Sequence, residues 1–174
     1  MRIVSFADLP VQAWSNGAGR TVELARHPAG EPFDWRLSIA TVADDTSFSH
    51  LPGVDRVLMP LSPGGLTLRF DDVPRHLERF EAVAFPGEQA VRPLPPAAPT
   101  TDLNLMVRRG AGSPVMRAIA MAGEYAPAAD VLAVVVLDGA VTCDGRPLGF
   151  GDAVLAPFDG AAFGGRGVIA VASR

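Results

Sequence analysis

Two arginines, Arg36 and Arg56, fall inside strand-like runs, WRLSIA and DRVLMPL, rather than at their ends. An arginine in mid-strand either faces water in an ordinary ion pair or looks into a cavity that needs a cation. On the first reading Arg56 has Asp55 or Glu23 as its partner. On the second, one or two guanidinium groups in a barrel mouth favour a small carboxylate, because that pair is charge-assisted and geometrically selective. Polar residues in three segments could complete such a site: Trp14, Asn16, Thr21 and Glu23; Ser38 and Ser49 alongside the arginines; Asp102, Asn104 and Met106. Trp14 supplies a stacking face, and glycines at 17 and 19 leave backbone N–H groups open. Glu23 has a second use. Buried against Trp14, its carboxyl would rise toward working pH, with a neighbouring arginine opposing that, which makes it a candidate general acid or base.

Other chemistry has less to work with. The three histidines, His27, His50 and His76, are scattered, and none lies in the C-terminal half. A metal centre needs several converging imidazole, thiolate or carboxylate ligands, so no metal and no other cofactor is expected. Cys143 precedes an Asp144-Gly145 turn with no histidine in its half, and reads as a plain strand-end thiol. Ser38 and Ser49 lack the G-x-S-x-G context of a nucleophile elbow. Gly17 and Gly19 do not form a dinucleotide fingerprint, because the following residues are β-rich and no third glycine is correctly spaced.

The elements that must position these residues are strands. Apolar residues alternate through 35–40, with Trp35, Leu37 and Ile39 on one face and Arg36, Ser38 and Ala40 on the other. Similar runs occur at 3–6, 21–25, 56–61, 66–70, 82–85, 102–110, 131–137, 141–143, 153–156 and 168–172, broken by Gly, Pro and Asp. The 174 residues include 18 glycines and 16 prolines, which suits many turns, and 48% apolar residues are enough for a sizeable core. An all-β fold with little helix is expected. The formal charge of -4 gives no footprint for nucleic acid. The longest apolar run is far short of the roughly 20 residues of a membrane helix, and the N-terminus lacks the apolar core of a signal peptide. With a single cysteine, these features predict a soluble, cytoplasmic protein.

Two resemblances sharpen this. A strand, an Asp-Gly turn and then L-G-F-G-D-A-V-L-A-P at 148–157 resembles the cupin barrel, and Phe85-Pro86-Gly87-Glu88 with Ala90-Val91 echoes Phe150-Gly151-Asp152-Ala153-Val154. Four ordered blocks, WSNGAGRTVEL, FDWRLSIATV, FSHLPGVDRVLMPL and DLNLMVRRG, resemble the HutD/Ves family of small bacterial cupin-like proteins associated with histidine utilisation. That resemblance implies a double-stranded β-helix of the bicupin type, without the usual cupin metal ligands. The halves would be 1–92 (plus 102–110) and 111–174, joined by a proline-rich connector at 93–101. It also implies a pocket for a small carboxylate, such as N-formyl-glutamate or another intermediate of histidine breakdown, and a governing rather than catalytic role. By position the pocket residues are Trp14, Asn16, Gly17, Thr21, Glu23, Arg36, Ser38, Ser49, Arg56, Asn104 and Met106. Ser15 and Ala18 stand where the family more often has Lys and Gly, and the first of these departures removes a cation near the pocket.

Three functions remain open at this level. One is a metal-free sensor or buffer that binds an acidic metabolite. Another is a metal-free isomerase or lyase using Glu23. The last is an interaction module, which would show an exposed apolar patch and no deep polar pocket. Cupin-like barrels often pair edge strands, which allows a homodimer.

Overall fold

The computed structural model describes residues 1–14, 17, 19–44 and 47–174. Its strands in chain order are β1 (Arg2–Val4), β2 (Val11–Ala13), β3 (Gly19–His27), β4 (Trp35–Val42), β5 (Val54–Pro60), β6 (Leu66–Phe70), β7 (Val73–Leu77), β8 (Val83–Pro86), β9 (Val91–Pro93), β10 (Thr100–Arg108), β11 (Val115–Ala122), β12 (Val131–Cys143), β13 (Arg146–Leu148), β14 (Ala153–Leu155) and β15 (Phe163–Ser173). One short 3-10 turn, Phe6–Asp8, is the helical content of the described residues. The fold is all-β, as the alternation requires. The strands form two compact units, Pro10–Pro114 and Met1–Leu9 with Val115–Arg174.

In the Pro10–Pro114 unit a six-stranded sheet runs in the order β2-β3-β4-β10-β5-β8, and a three-stranded sheet in the order β7-β6-β9. The antiparallel register around β10 fixes three rows across the larger sheet. They are Arg36, Met106 and Arg56; Ser38, Asn104 and Leu58; and Ala40, Asp102 and Pro60. Because side chains alternate between faces, the opposite face carries Leu37, Leu105 and Val57, then Ile39, Leu103 and Met59, none more than 3% exposed. This apolar face is what the strand patterns encode. The polar rows lie on the other face, where Leu58, Val83 and Phe85 pack with Leu66, Leu68, Leu77 and Val91. The smaller sheet includes a hairpin turned on Asp71-Asp72, whose φ angles are 46° and 73°. Aspartate tolerates that left-handed region better than most side chains.

The other unit is a sheet in the order β1-β14-β12-β15-β11, with β13 paired to β12. Residues 131–137 and 141–143, which read as separate strands, belong to one element interrupted by a bulge between Val136 and Asp138. The expected Asp144-Gly145 turn follows, with φ of 48° and 76°. The glycine-rich stretch before β15's apolar end is itself strand. A Cβ on Gly165 would stand 2.2 Å from the Ala140 carbonyl oxygen, and one on Gly167 2.2 Å from that of Asp138, so the ladder closes only over glycine. Phe163, Ile169, Val134, Val136, Val141 and Cys143 fill the core. Burial, aided by Asp144, pushes the Cys143 thiol up. It packs 3.5 Å from the Met1 sulfur, consistent with a structural thiol.

Candidate functional site

A cavity of about 300 Å³ opens on the polar face of the six-stranded sheet. Alternation on β4 sends Arg36, Ser38 and Ala40 into it, β10 adds Asn104 and Met106, β5 adds Arg56, and β3 adds Thr21. Trp14 forms a further wall, and Ser47, Phe48, Ser49 and Leu51 lie on the segment between β4 and β5. Trp14 is held in place by two contacts. Its indole N–H donates to Thr21 Oγ1 at 2.8 Å. Its ring also lies against Gly19, where a Cβ would come within 2.9 Å of the indole and 2.5 Å of the Thr41 carbonyl oxygen. Only glycine lets the ring sit there.

Arg56 is the centre of the site. It is 4% exposed, its guanidinium lies 5.0 Å from the Phe48 ring centre and 5.2 Å from that of Phe85, and Nη2 donates to Asn104 Oδ1 at 3.1 Å. Its Nε is buried without a hydrogen-bond partner. Burial brings its pKa down to about 10, against the pull of Asp102 and with a smaller push from Arg36. At neutral pH it is still a cation, one whose lost hydration is only partly replaced by ring faces and an amide. Arg36, three-quarters buried, points its Nε toward Glu23 at 3.6 Å without making a hydrogen bond. Burial lowers its pKa too, opposed by Glu23. Two guanidinium groups, each with an unpartnered Nε, thus share one hollow, an arrangement whose electrostatics favour negative charge there.

Eight of the eleven residues singled out from the sequence line this cavity: Trp14, Thr21, Arg36, Ser38, Ser49, Arg56, Asn104 and Met106. Three do not come with them. Asn16 lies outside the described residues. Gly17 is exposed and donates its N–H to the Trp14 carbonyl, as a turn residue. Glu23 is held by Arg26 through two bonds of 2.6 and 2.7 Å and is not part of the lining, because the bulge between Glu23 and Ala25 brings the two side chains to the same side. The proposed surface ion pairs of Arg56 do not form either. Asp55 binds Arg109 at 2.7 Å, and Arg109 also holds Glu88. Ala40, Ser47, Phe48 and Leu51 were not foreseen. Ala40 was legible from the alternation with Arg36 and Ser38. Phe48 carried a weaker signal, a lone aromatic in a polar turn.

A family model described as HutD matches residues 6–171. The chain belongs to the HutD family. Protein Ves of Cronobacter sakazakii is 40% identical over 111 residues, which cover 63% of this chain and 61% of that protein. The matched stretch spans 61% of that protein and 50% of an uncharacterized 21.2 kDa protein from the hutC 3' region of Pseudomonas putida, to which this chain is 38% identical over 95 residues, 52% of its length. The crystal structure of a conserved protein of unknown function from Pseudomonas aeruginosa PAO1 superposes with a TM-score of 0.83 at 28% identity, covering 99% of this chain and 97% of that one. A cupin 2 conserved barrel domain protein from Leptotrichia buccalis superposes with a TM-score of 0.62 at 11% identity, covering 99% and 95%, a likeness of fold alone. The HutD-family chain is thus cupin-like in fold. Among its described residues no group of three or more His, Cys, Asp or Glu side chains could hold a metal ion, and no helix is long and apolar enough to cross a membrane.

Proposed function

We propose that this HutD-family chain is a metal-independent binder of a small carboxylate metabolite, with N-formyl-glutamate or another intermediate of histidine breakdown as its ligand. Its role is to sense or buffer that metabolite in the cytoplasm rather than to transform it. The observation that carries this reading is Arg56. It is a buried guanidinium beside a polar hollow, with an unpartnered Nε and no carboxylate paired to it among the described residues. A ligand carboxylate supplies the missing counter-charge and acceptors, and Arg36, Ser38 and Ser49 offer further donors to it. The interaction-module reading fares worse, since the hollow is polar. The enzyme reading lacks its base, since Glu23 is committed to Arg26.

The bicupin reading of the fold belongs to the same proposal, and the internal echo supports it. At Gly87 a Cβ would fall 2.4 Å from the Leu51 carbonyl oxygen, and at Gly151 one would fall 2.6 Å from the Phe6 ring. The acid that follows accepts a backbone N–H from a distant segment in each case: Glu88 from Gly53, and Asp152 from Phe6. In both units the motif thus combines a closely approached glycine with an acid that ties down a distant backbone N–H, although only Gly151 has a positive φ, of 80°.

Calorimetric titration with N-formyl-L-glutamate, urocanate and glutamate tests the function. Saturable heat is expected from at least one of these acids, and it should be lost with the corresponding uncharged amide or ester. Heats no larger than dilution from all three would refute the ligand class.

A further inference from the structure

Behind the cavity's arginine lies an acid with one oxygen left unpartnered. Asp102 is wholly buried. Its Oδ1 accepts a hydrogen bond from Asn104 Nδ2, while Oδ2 has no partner. Asn104 in turn presents its carbonyl oxygen to Arg56. A carboxamide has one donor end and one acceptor end. By holding the donor end, Asp102 fixes the acceptor end on the guanidinium.

The surroundings of Asp102 offer little else. Its ladder neighbours are Ala40 on β4 and Pro60 on β5. The charged groups facing this part of the sheet are Arg56 on β5, Arg36 on β4 and Glu23 on β3, and Glu23 is already paired with Arg26 and close to Arg36. β8 presents Val83 and Phe85, and the segment between β4 and β5 presents Ser47, Phe48, Ser49 and Leu51. The positive charge acting on Asp102 is therefore that of Arg56, relayed through one amide.

We propose that Asp102 is a positioning residue for the anion site and its proton reservoir: when a carboxylate occupies Arg56, ionised Asp102 takes a proton from solvent. The step is balanced without covalent chemistry. The ligand anion brings one negative charge to the guanidinium, one solvent proton goes onto the free Oδ2, and no bond to the ligand is made or broken. The physical reason is competition. An incoming carboxylate neutralises the cation that favours ionised Asp102, and two carboxylates cannot share one buried guanidinium without a large cost. In the free protein, burial already pushes Asp102 up to about 7, with Arg56 and then the Asn104 bond pulling it down. Both protonation states are thus accessible near neutral pH, and carboxylate affinity should rise as pH falls through that range.

The inference rests on the carboxylate reading of the cavity, and one pair of measurements separates the two. The carboxyl ¹³C resonance of Asp102 is followed against pH in the free protein and in the presence of N-formyl-L-glutamate. The binding heat of the same compound is measured at pH 7 in Bis-Tris and in Tris, cationic buffers whose ionisation enthalpies differ. Expected are an upward shift of the Asp102 titration on binding and a buffer-dependent heat corresponding to a fraction of a proton taken up. Affinity should weaken severalfold between pH 6 and pH 8. Asp102→Asn should still bind, with that proton uptake gone and the pH dependence flattened. The wild-type arms stand by themselves if the variant does not fold. Heat that is the same in both buffers, with an unmoved Asp102 resonance, overturns the proton coupling alone. Absence of any heat in the wild type overturns the carboxylate reading and this inference together.

Discussion

Arg56→Met should weaken binding of a carboxylate ligand by about ten- to a hundred-fold, the equivalent of losing a charged hydrogen bond of roughly 1.5–3 kcal/mol. Methionine is close to the arginine stem in length and apolar, so it can remain between Phe48 and Phe85 where the guanidinium now lies. The fold should tolerate the change. Burying Arg56 carries the cost of a dehydrated cation, and removing that cation relieves it. Asp102 then loses the charge that favours its ionised form, which pushes its carboxyl further up and toward the neutral state. The expected result is a protein with near-normal unfolding and a large loss of affinity, measured by calorimetry alongside urea denaturation. A protein that bound N-formyl-L-glutamate with unchanged affinity after Arg56→Met would remove Arg56 from the site. Arg56→Lys should also bind less well, because an ammonium lacks the planar fork that lies against two rings and donates to Asn104 at once.

Phe163→Ala should destabilise the unit made of Met1–Leu9 and Val115–Arg174 by about 3–5 kcal/mol, the usual cost of removing a buried phenyl ring. Phe163 has no solvent exposure, and its ring meets Tyr125 and Phe158 with centroids 6.2 and 6.3 Å apart. Both tryptophans, Trp14 and Trp35, lie in Pro10–Pro114, whereas Tyr125 lies in the other unit. Urea unfolding followed by tyrosine and tryptophan signals therefore reports on the two units separately. The tyrosine-detected midpoint should fall substantially. A loss under about 1 kcal/mol would mean that the ring is not part of a close-packed core.

Much of this was legible in the residues because period-2 alternation states which side chains share a face. Arg36, Ser38 and Ala40 stand opposite Trp35, Leu37 and Ile39 in the sequence as they do in the sheet. What alternation could not state is which face is hollow, since both faces of β4 and β10 are buried. The polar side became a cavity only through the pairing of β10 between β4 and β5, a contact between segments far apart in the chain. The first strand, read at 3–6, was legible and runs over Arg2–Val4, but its non-local partner, Ala153–Leu155 of β14, was not. Glu23 was misread for a local reason. A bulge at residue 24 changes the facing of the strand, and it brought Arg26 to the carboxylate that had been offered to a ligand. The last strand was read only from 168, whereas β15 begins at Phe163, because the glycines ahead of 168 weaken strands in general. Here they are what a close backbone approach requires.

The central claim is that the cavity's guanidinium groups bind a carboxylate, and the Nε–H resonances of Arg36 and Arg56 report on it most directly, because neither nitrogen donates to the protein. In ¹H–¹⁵N spectra of the protein titrated with N-formyl-L-glutamate, both signals should shift downfield together and saturate on one binding curve, while the exposed arginines stay in place. Saturable binding seen elsewhere in the spectrum with the Nε–H signals of Arg36 and Arg56 unmoved would contradict the account.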